Sequence, residues 1–434
     1  MTETSTQPVK LWNRNFFLLW QGQFVSQLGS QAFSIAMMFW IKHATGSASL
    51  MGMMMTLFML PAVILGPIGG TFADHYSRRK IIIYSDVLSG IFVLVLAALL
   101  FFTPNNTQLI LFWLFMISVA VGIIRSFFNP AITASIPDIV PGDKVAGANS
   151  LVQSSFQIST FVGQGMGGYL FMLLGAPVLI LIDAITYLFS AFSETFITIP
   201  QTLPEKSSGL RKKLTQFKKD TVDGFKFAWG NKGMRLVFLM ITVLHFFIMP
   251  ITLLLPFYVE DFLMATPAWY GYILSGFGFG SLVGYVVAGT IKVSGEKRSY
   301  IVVVAMVAGT VLLASLSIVT KAIVALVVML LFGVLNGIIN INIITVLQTS
   351  TAGEMRGRVF GLFMTLTSGL SPIAMGLAGV VADLMGQNIP LIYGICGAIL
   401  ILLTITTALL RPFRHFLAYG LANRQEDDSG VGPQ

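Results

Sequence analysis

Charge is scarce in this chain. Only 10% of its 434 residues are Asp, Glu, Lys or Arg, against about 25% in an average soluble domain. With 55% hydrophobic residues, that poverty excludes a soluble globular protein. Cysteine is scarcer still. The single Cys396 excludes an intrachain disulfide, a thiol redox pair and a cysteine zinc cluster. Four widely spaced histidines add no convincing ligand set, so no metal is expected. The chain has no Gly-x-x-x-x-Gly-Lys-Ser/Thr loop, so ATP is not expected as a direct energy source. No nucleophile–base constellation stands out either, which argues against an enzyme. A polar start (residues 1–14) and an overlong first apolar run leave no cleavable signal peptide to expect.

What the chain has is apolar length. Runs able to cross about 30 Å of hydrocarbon recur at 15–42, 48–73, 80–102, 108–130, 146–174, 177–199, 234–260, 267–292, 299–319, 322–349, 356–385 and 389–410. They are continuous, not alternating, which fits helices and not barrel strands. The expected fold is an all-α polytopic membrane protein, with twelve transmembrane helices in two pseudo-symmetric six-helix bundles. Residues 1–199 form the first bundle and 234–410 the second. Residues 200–233 form a cytoplasmic linker and 411–434 a cytoplasmic tail. In the linker, Leu214, Phe217, Phe225 and Trp229 recur at helical spacing among lysines. That spacing reads as an amphipathic helix on anionic lipid, or as a plain flexible connection.

The formal charge of +8 would point to nucleic acid in a soluble protein. In a bilayer its placement sets orientation, and no nucleic-acid partner is expected. If the N-terminus is cytoplasmic, that side holds Arg14, Arg78, Arg79, Lys80, the run from Lys206 to Arg235, Lys297, Arg298, Arg356 and Arg358. The opposite side holds only Lys42 and Lys321 among the bases. Both termini are therefore expected in the cytoplasm.

Polar residues inside the spans are the candidates for chemistry. Gln23, Gln27, Ser30 and Ser34 share one face of the first span, and Gln153, Gln157, Thr160 and Gln164 share one of the fifth. Asn336 and Asn340 stand in the tenth. These faces line a solute cavity or simply bond between helices. Asp183, Tyr187, Ser190 and Glu194 follow one face of the sixth span. Asp183 and Glu194 are candidates for proton coupling, or structural carboxyls bonded to Tyr and Ser. Arg125 is either part of a proton path or snorkels from near the inner end of span 4. His245 is either a titrating group or a packed neutral ring.

The loop Gly70-Thr-Phe-Ala-Asp74-His-Tyr-Ser-Arg78-Arg79-Lys80 faces water, because its charges cannot lie in hydrocarbon. Gly70 is read as the point of close helix approach. Asp74 is placed to pair with Arg78 or Arg79, or to cap the next helix. A weaker copy, Gly289-Thr290 with Lys297-Arg298, follows the second span of the other half at the same offset.

This loop resembles the signature between helices two and three of the major facilitator superfamily. Gly70, Asp74, Arg78 and Arg79 fit it, and Ser77 stands where a glycine is usual. Asn15 to Gly29, Asn129-Pro130-Ala131 through Pro137 and Pro141, and Arg356-Gly-Arg358-Val-Phe-Gly361 resemble a branch of bacterial macrolide-efflux and siderophore-export proteins. The resemblance implies two rocking six-helix halves and alternating access. It makes Gly70, Asp74, Arg78 and Arg79 a cytoplasmic latch with Asp138 as partner, and associates Arg125 with proton transfer. The glycine-rich fifth span resembles the family's antiporter motif without its central proline. The expected protein is a proton-coupled exporter of hydrophobic or amphipathic small molecules in the bacterial cytoplasmic membrane. It is expected to be a monomer, with membrane lipids as partners and no cofactor beyond the proton gradient. The alternatives are export of a siderophore, lipid or metal ion, or a non-transporting membrane sensor or scaffold.

Overall fold

The computed structural model describes residues 11–201, 219, 222–290 and 295–418. Among these the chain is helices and turns, with no strand. In order the helices are α1 (Arg14–Thr45), α2 (Ala48–His75), α3 (Arg78–Phe102), α4 (Thr107–Ile139) and α5 (Val145–Glu194). There follow α6 (Lys232–Leu253), α7 (Ala268–Thr290), α8 (Gly295–Ser315), α9 (Ala322–Ser350), α10 (Gly353–Gly369), α11 (Ser371–Leu384), α12 (Ile389–Leu409) and α13 (Arg411–Ala418).

Among the described residues, eleven helical segments are long and apolar enough to cross a membrane. One of them is two spans. Inside α5, Gly175 takes φ 72° and ψ 169°, and Pro177 follows it. That backbone is open to glycine and hostile to other residues, and the proline removes a donor just where the helix turns. The limbs 145–174 and 176–194 are therefore separate spans, giving twelve. Helices α10 and α11 make one span broken at Leu370, with Pro372 in the first turn of α11. The first turns are built from short polar caps: Asn13, Ser77, Asn106, Asn231 and Asn388 each accept a backbone N–H.

The chain divides into two compact units, residues 1–46 with 54–215, and residues 47–53 with 216–434. Bilayer lipid is as apolar as a leucine core, so helices here associate by close packing of small residues. In the first unit, Gly69 of α2 lies against the carbonyl of Ser126 and Gly122 of α4 against that of Phe58. In the second, Gly280 and Gly284 of α7 meet the carbonyls of Leu330 and Val334, and Gly333 and Gly337 of α9 meet those of Phe277 and Ser281. Both units thus cross their second and fourth spans backbone on backbone.

Two sequence expectations need correction here. Span 4 does not stop near residue 130. Helix α4 continues through Pro130 and Pro137 to Ile139. Pro130 frees the carbonyl of Ser126, and glycine at 69 lets α2 come down on that site; neighbouring helices make such prolines tolerable in a membrane. The close approach expected at Gly70 is also one residue away: a side chain at 70 would meet nothing within 4 Å, whereas one at 69 would collide with Ser126.

The second unit is closed by α13, which buries Phe413, Phe416 and Leu417 and exposes Arg411 and Arg414. Gly233 lets α6 lie against Phe416 and Pro412. The start of α2 also belongs to this unit. Asp383 accepts from Ser47 Oγ at 2.7 Å, Ala48 N at 3.0 Å, Ser49 N at 2.9 Å and Gln387 Nε2 at 2.9 Å. A carboxylate at a helix N-terminus meets both orphan donors and the positive dipole end. Of the expected linker helix, residues 222–230 are helical, with Phe225 stacked on Trp229 at 4.2 Å. Leu214 and Phe217 lie outside the described residues.

Candidate functional site

The polar face of α1 meets the polar face of the second α5 limb. Gln23 Nε2 donates to Glu194 Oε1 at 2.8 Å and to Ser190 Oγ at 3.4 Å. Ser30 Oγ reaches Tyr187 Oη at 3.0 Å and Asp183 Oδ1 at 3.4 Å. Gly22 and Gly29 stand seven positions apart on that face of α1. A Cβ at Gly29 would lie 2.2 Å from Thr186 Oγ1 and 2.8 Å from Asp183 Oδ1, and one at Gly22 would lie 3.0 Å from Ser190 Oγ. The glycines are what let the two polar faces touch.

Arg125 projects into this seam from α4. Its Nη2 lies 3.4 Å from Tyr187 Oη and its guanidinium 4.8 Å above the Phe58 ring. It stands fourteen residues before the end of α4 (125 to 139), not one turn from it. Stacking on Phe58 and attraction from Asp183 and Asp86 hold the cation in place.

Asp86 is the member that sequence reasoning missed. It lies on α3, 2% exposed, and its carboxyl is in hydrogen-bond reach of Glu194 and Ser190. The signal was present: a lone carboxylate inside the apolar run 81–102, flanked by Ser85 and Ser89.

Two cavities flank this seam. One of about 120 Å³ is lined by Asp183, Phe58, Ser34 and Ser118. The other, about 140 Å³, is lined by Asp86, Gln23, Gln27 and Asn129. Arg125, Tyr187 and Ser30 line both, forming the wall between them.

The other expected positions sort as follows. Gln23 and Ser30, read as lining a cavity or bonding between helices, do both: they bond the carboxyls of α5 and line the small cavities. Gln27 lines the second cavity, and its Oε1 is buried without a donor among the described residues. Gln153 and Gln157 are exposed on α5 and line neither cavity. Gly163 and Gly167, on the same helix, pack against Gln31 and Ile35 of α1. In the second unit, His245, Asn336 and Asn340 come together in a cavity of about 350 Å³ walled by Phe277, Phe332 and Phe363. His245 is thus remote in kind from the acids: the lining of its cavity, among the described residues, carries no carboxylate.

At the α2–α3 turn, Arg78 is the hub. Its guanidinium bonds Asp138 Oδ2 at 2.5 Å, Ala134 O at 2.8 Å and Ala73 O at 3.3 Å, with Asp74 at 3.6 Å. Arg79 donates to the carbonyl of Thr195. Ser77, where the family motif has glycine, caps α3. Gln201, another residue not foreseen, accepts from Arg78 N at 2.9 Å and donates to Tyr76 O at 3.2 Å.

Residues 19–375 match the sequence profile of the Major Facilitator Superfamily. The chain belongs to this superfamily. Its members are multi-pass membrane transporters, not enzymes. It is 25% identical over 384 residues to macrolide efflux protein A of Streptococcus pyogenes, covering 87% of this chain and 91% of that protein. It is 25% identical over 350 residues to the multidrug efflux pump Tap of Mycolicibacterium fortuitum, covering 79% and 82%. The fold is similar to that of the nucleoside transporter NupG (TM-score 0.67, 14% identity, 93% of this chain and 99% of that one). It is also similar to a POT family transporter in complex with a thioalcohol-conjugated peptide (TM-score 0.66, 12% identity, 94% and 98%).

Proposed function

We propose that this transporter exports hydrophobic or amphipathic small molecules, drug- or macrolide-like, from the bacterial cytoplasm by alternating access, in exchange for protons. The observation that carries the coupling is the buried seam of Asp183, Tyr187, Ser30 and Arg125. A packed bundle needs no ionisable group at its centre, and such groups are costly in hydrocarbon. A carboxyl facing a guanidinium across a tyrosine can exchange ion pairing for a proton as its surroundings change. The names of the efflux relatives support the direction and the solute class. The apolar cavity of the second unit supports them too: its volume falls in the range of small-molecule sites, about 300–1,000 Å³, and His245, Asn336 and Asn340 offer polar anchors.

In this reading Arg78, held by Asp138 and Asp74, is the centre of the cytoplasmic latch, with Arg79 tying the turn to Thr195. Both termini are cytoplasmic, the protein acts as a monomer, and its energy source is the proton gradient without a cofactor. The test is a panel of solutes in proteoliposomes with an imposed pH gradient. Solute movement that collapses with a protonophore is the expected result. Movement indifferent to the gradient overturns the coupling, and no movement of any drug-like solute overturns the substrate class.

A further inference from the structure

The seam of the first unit holds three carboxyl groups, Asp86, Asp183 and Glu194, each no more than 2% exposed. Arg125 is the guanidinium that attracts Asp86 and Asp183. With all three ionised, one cation leaves two negative charges uncompensated (3 − 1) inside a membrane-spanning bundle. Such a state is strongly disfavoured. Ser30 joins Asp183 to the Tyr187 hydroxyl, and Arg125 reaches that hydroxyl in turn, whereas Asp86 and Glu194 lie against each other.

Their geometry asks for a proton. The two carboxyls are in hydrogen-bond reach of one another, yet ionised carboxylates only accept. Two side-chain donors serve the pair: Gln23 Nε2 and Ser190 Oγ reach Glu194 Oε1, at 2.8 and 3.4 Å, and Ser190 is also in reach of Asp86. Asp86 Oδ2 and Glu194 Oε2, like Asp183 Oδ2, are buried without a donor among the described residues, and Asp86 lines the 140 Å³ cavity. The groups around the pair are few. Helix α1 presents the neutral Gln23 and Gln27, α3 presents Ser85 and Ser89, α4 presents Arg125, and α5 presents Ser190, Tyr187 and, beyond it, Asp183. A proton on either carboxyl supplies the missing donor and lowers the net charge together.

We infer that the Asp86–Glu194 pair is a proton-binding site in its own right, holding one shared proton on the cavity opposite Asp183. It deepens the proton-coupled reading by giving the first unit two stations, one on each side of the Arg125–Tyr187 wall. A lone ionised carboxylate at either position would have no such partner, so the pair acts as a unit.

Infrared spectroscopy of the purified protein at neutral pH tests this without requiring transport. The wild type is expected to show a protonated-carboxyl C=O band that shifts in D2O. Asp86→Asn and Glu194→Gln should each abolish it, since the remaining carboxyl then receives an amide donor and ionises. Asp183→Asn should retain it. Absence of the band in the wild type overturns the inference, and that result needs no variant to fold. So does a band that survives both substitutions, or one that disappears on adding sodium, which would assign the pair to a metal cation. Counting protons per solute in proteoliposomes then separates the two proposals. A band present in a protein that moves no protons leaves the pair standing and removes the coupling. Proton-driven export with one proton fewer per cycle in Glu194→Gln supports both.

Discussion

Replacing Gly29 with alanine probes the contact on which the buried cluster rests. The new Cβ would stand 2.2 Å from Thr186 Oγ1, 2.8 Å from Asp183 Oδ1 and 3.2 Å from Asp183 Cα. Thr186 is not free to turn away, because its hydroxyl donates to the carbonyl of Asp183 at 2.8 Å. Rotating it forfeits about 1 kcal/mol. The Asp183 Cα belongs to the backbone, so α1 and α5 must part by a few tenths of an ångström, and overpacking of this kind costs about 1–3 kcal/mol. Alanine returns about 1 kcal/mol through its better helix propensity. The net loss is about 1–3 kcal/mol, or roughly 2–12 °C in melting temperature at about 2–4 °C per kcal/mol. Fluorescence-detected melting in detergent measures it, with Gly70→Ala as the control, since nothing lies within 4 Å of that position. Solute export should fall as well, because Asp183 is pushed from Ser30. A melting temperature for Gly29→Ala equal to or above that of Gly70→Ala would refute the packing argument.

Three further outcomes follow from named contacts. Arg78→Ala strips Asp138 of its partner and removes a donor from the carbonyls of Ala134 and Ala73, so export per molecule of protein in the membrane should fall severalfold; Arg78→Lys should rescue it only in part, because a point charge cannot span the same acceptors. Tyr187→Phe keeps the ring and deletes the hydroxyl between Ser30 and Arg125; gradient-driven export should drop while solute binding, measured by calorimetry, stays within about threefold (~0.7 kcal/mol). Asp383→Ala removes the cap from the start of α2 and should lower stability by about 0.5–2 kcal/mol, read as a lower melting temperature that Asp383→Asn partly restores.

Much of this arrangement is written in local pattern. Apolar length and basic-residue placement give the spans, and the Gly175–Pro177 turn marks the join between two that helical hydrogen bonding runs together. Glycines four apart on α7 and α9 announce a close crossing, although only coordinates show that Gly284 and Gly337 face each other's helices. The polar faces of α1 and α5 were each visible as a period in the sequence. Their meeting was not, because periodicity reports which face a residue occupies and is silent about what that face touches. That is why the period left Gln23 and Ser30 open between lining a cavity and bonding to another helix, until the structure paired them with Glu194 and Asp183. Arg125 was misplaced for a related reason: prolines at 130 and 137 end helices in water, and here α2 supplies the backbone that lets α4 continue.

The two units share a crossing geometry and differ in what it encloses. Around α1, α3, α4 and the second limb of α5, the first unit sets Asp86, Asp183 and a guanidinium on cavities too small for a drug-sized body, about 120 and 140 Å³ on the two sides of one wall. The second encloses about 350 Å³ bounded by phenylalanines, with two asparagines and one histidine as its polar edge. Small polar cavities suit water and protons, while a larger aromatic one suits an apolar solute. A repeat that preserved its helix crossings while diverging in cavity chemistry would keep the rocking motion common to both halves and leave the driving ion and the cargo to separate sets of residues. Substitutions at Asp86, Asp183 and Glu194 would then change the energetics of transport, and those at Asn336, Asn340 and the surrounding rings its selectivity.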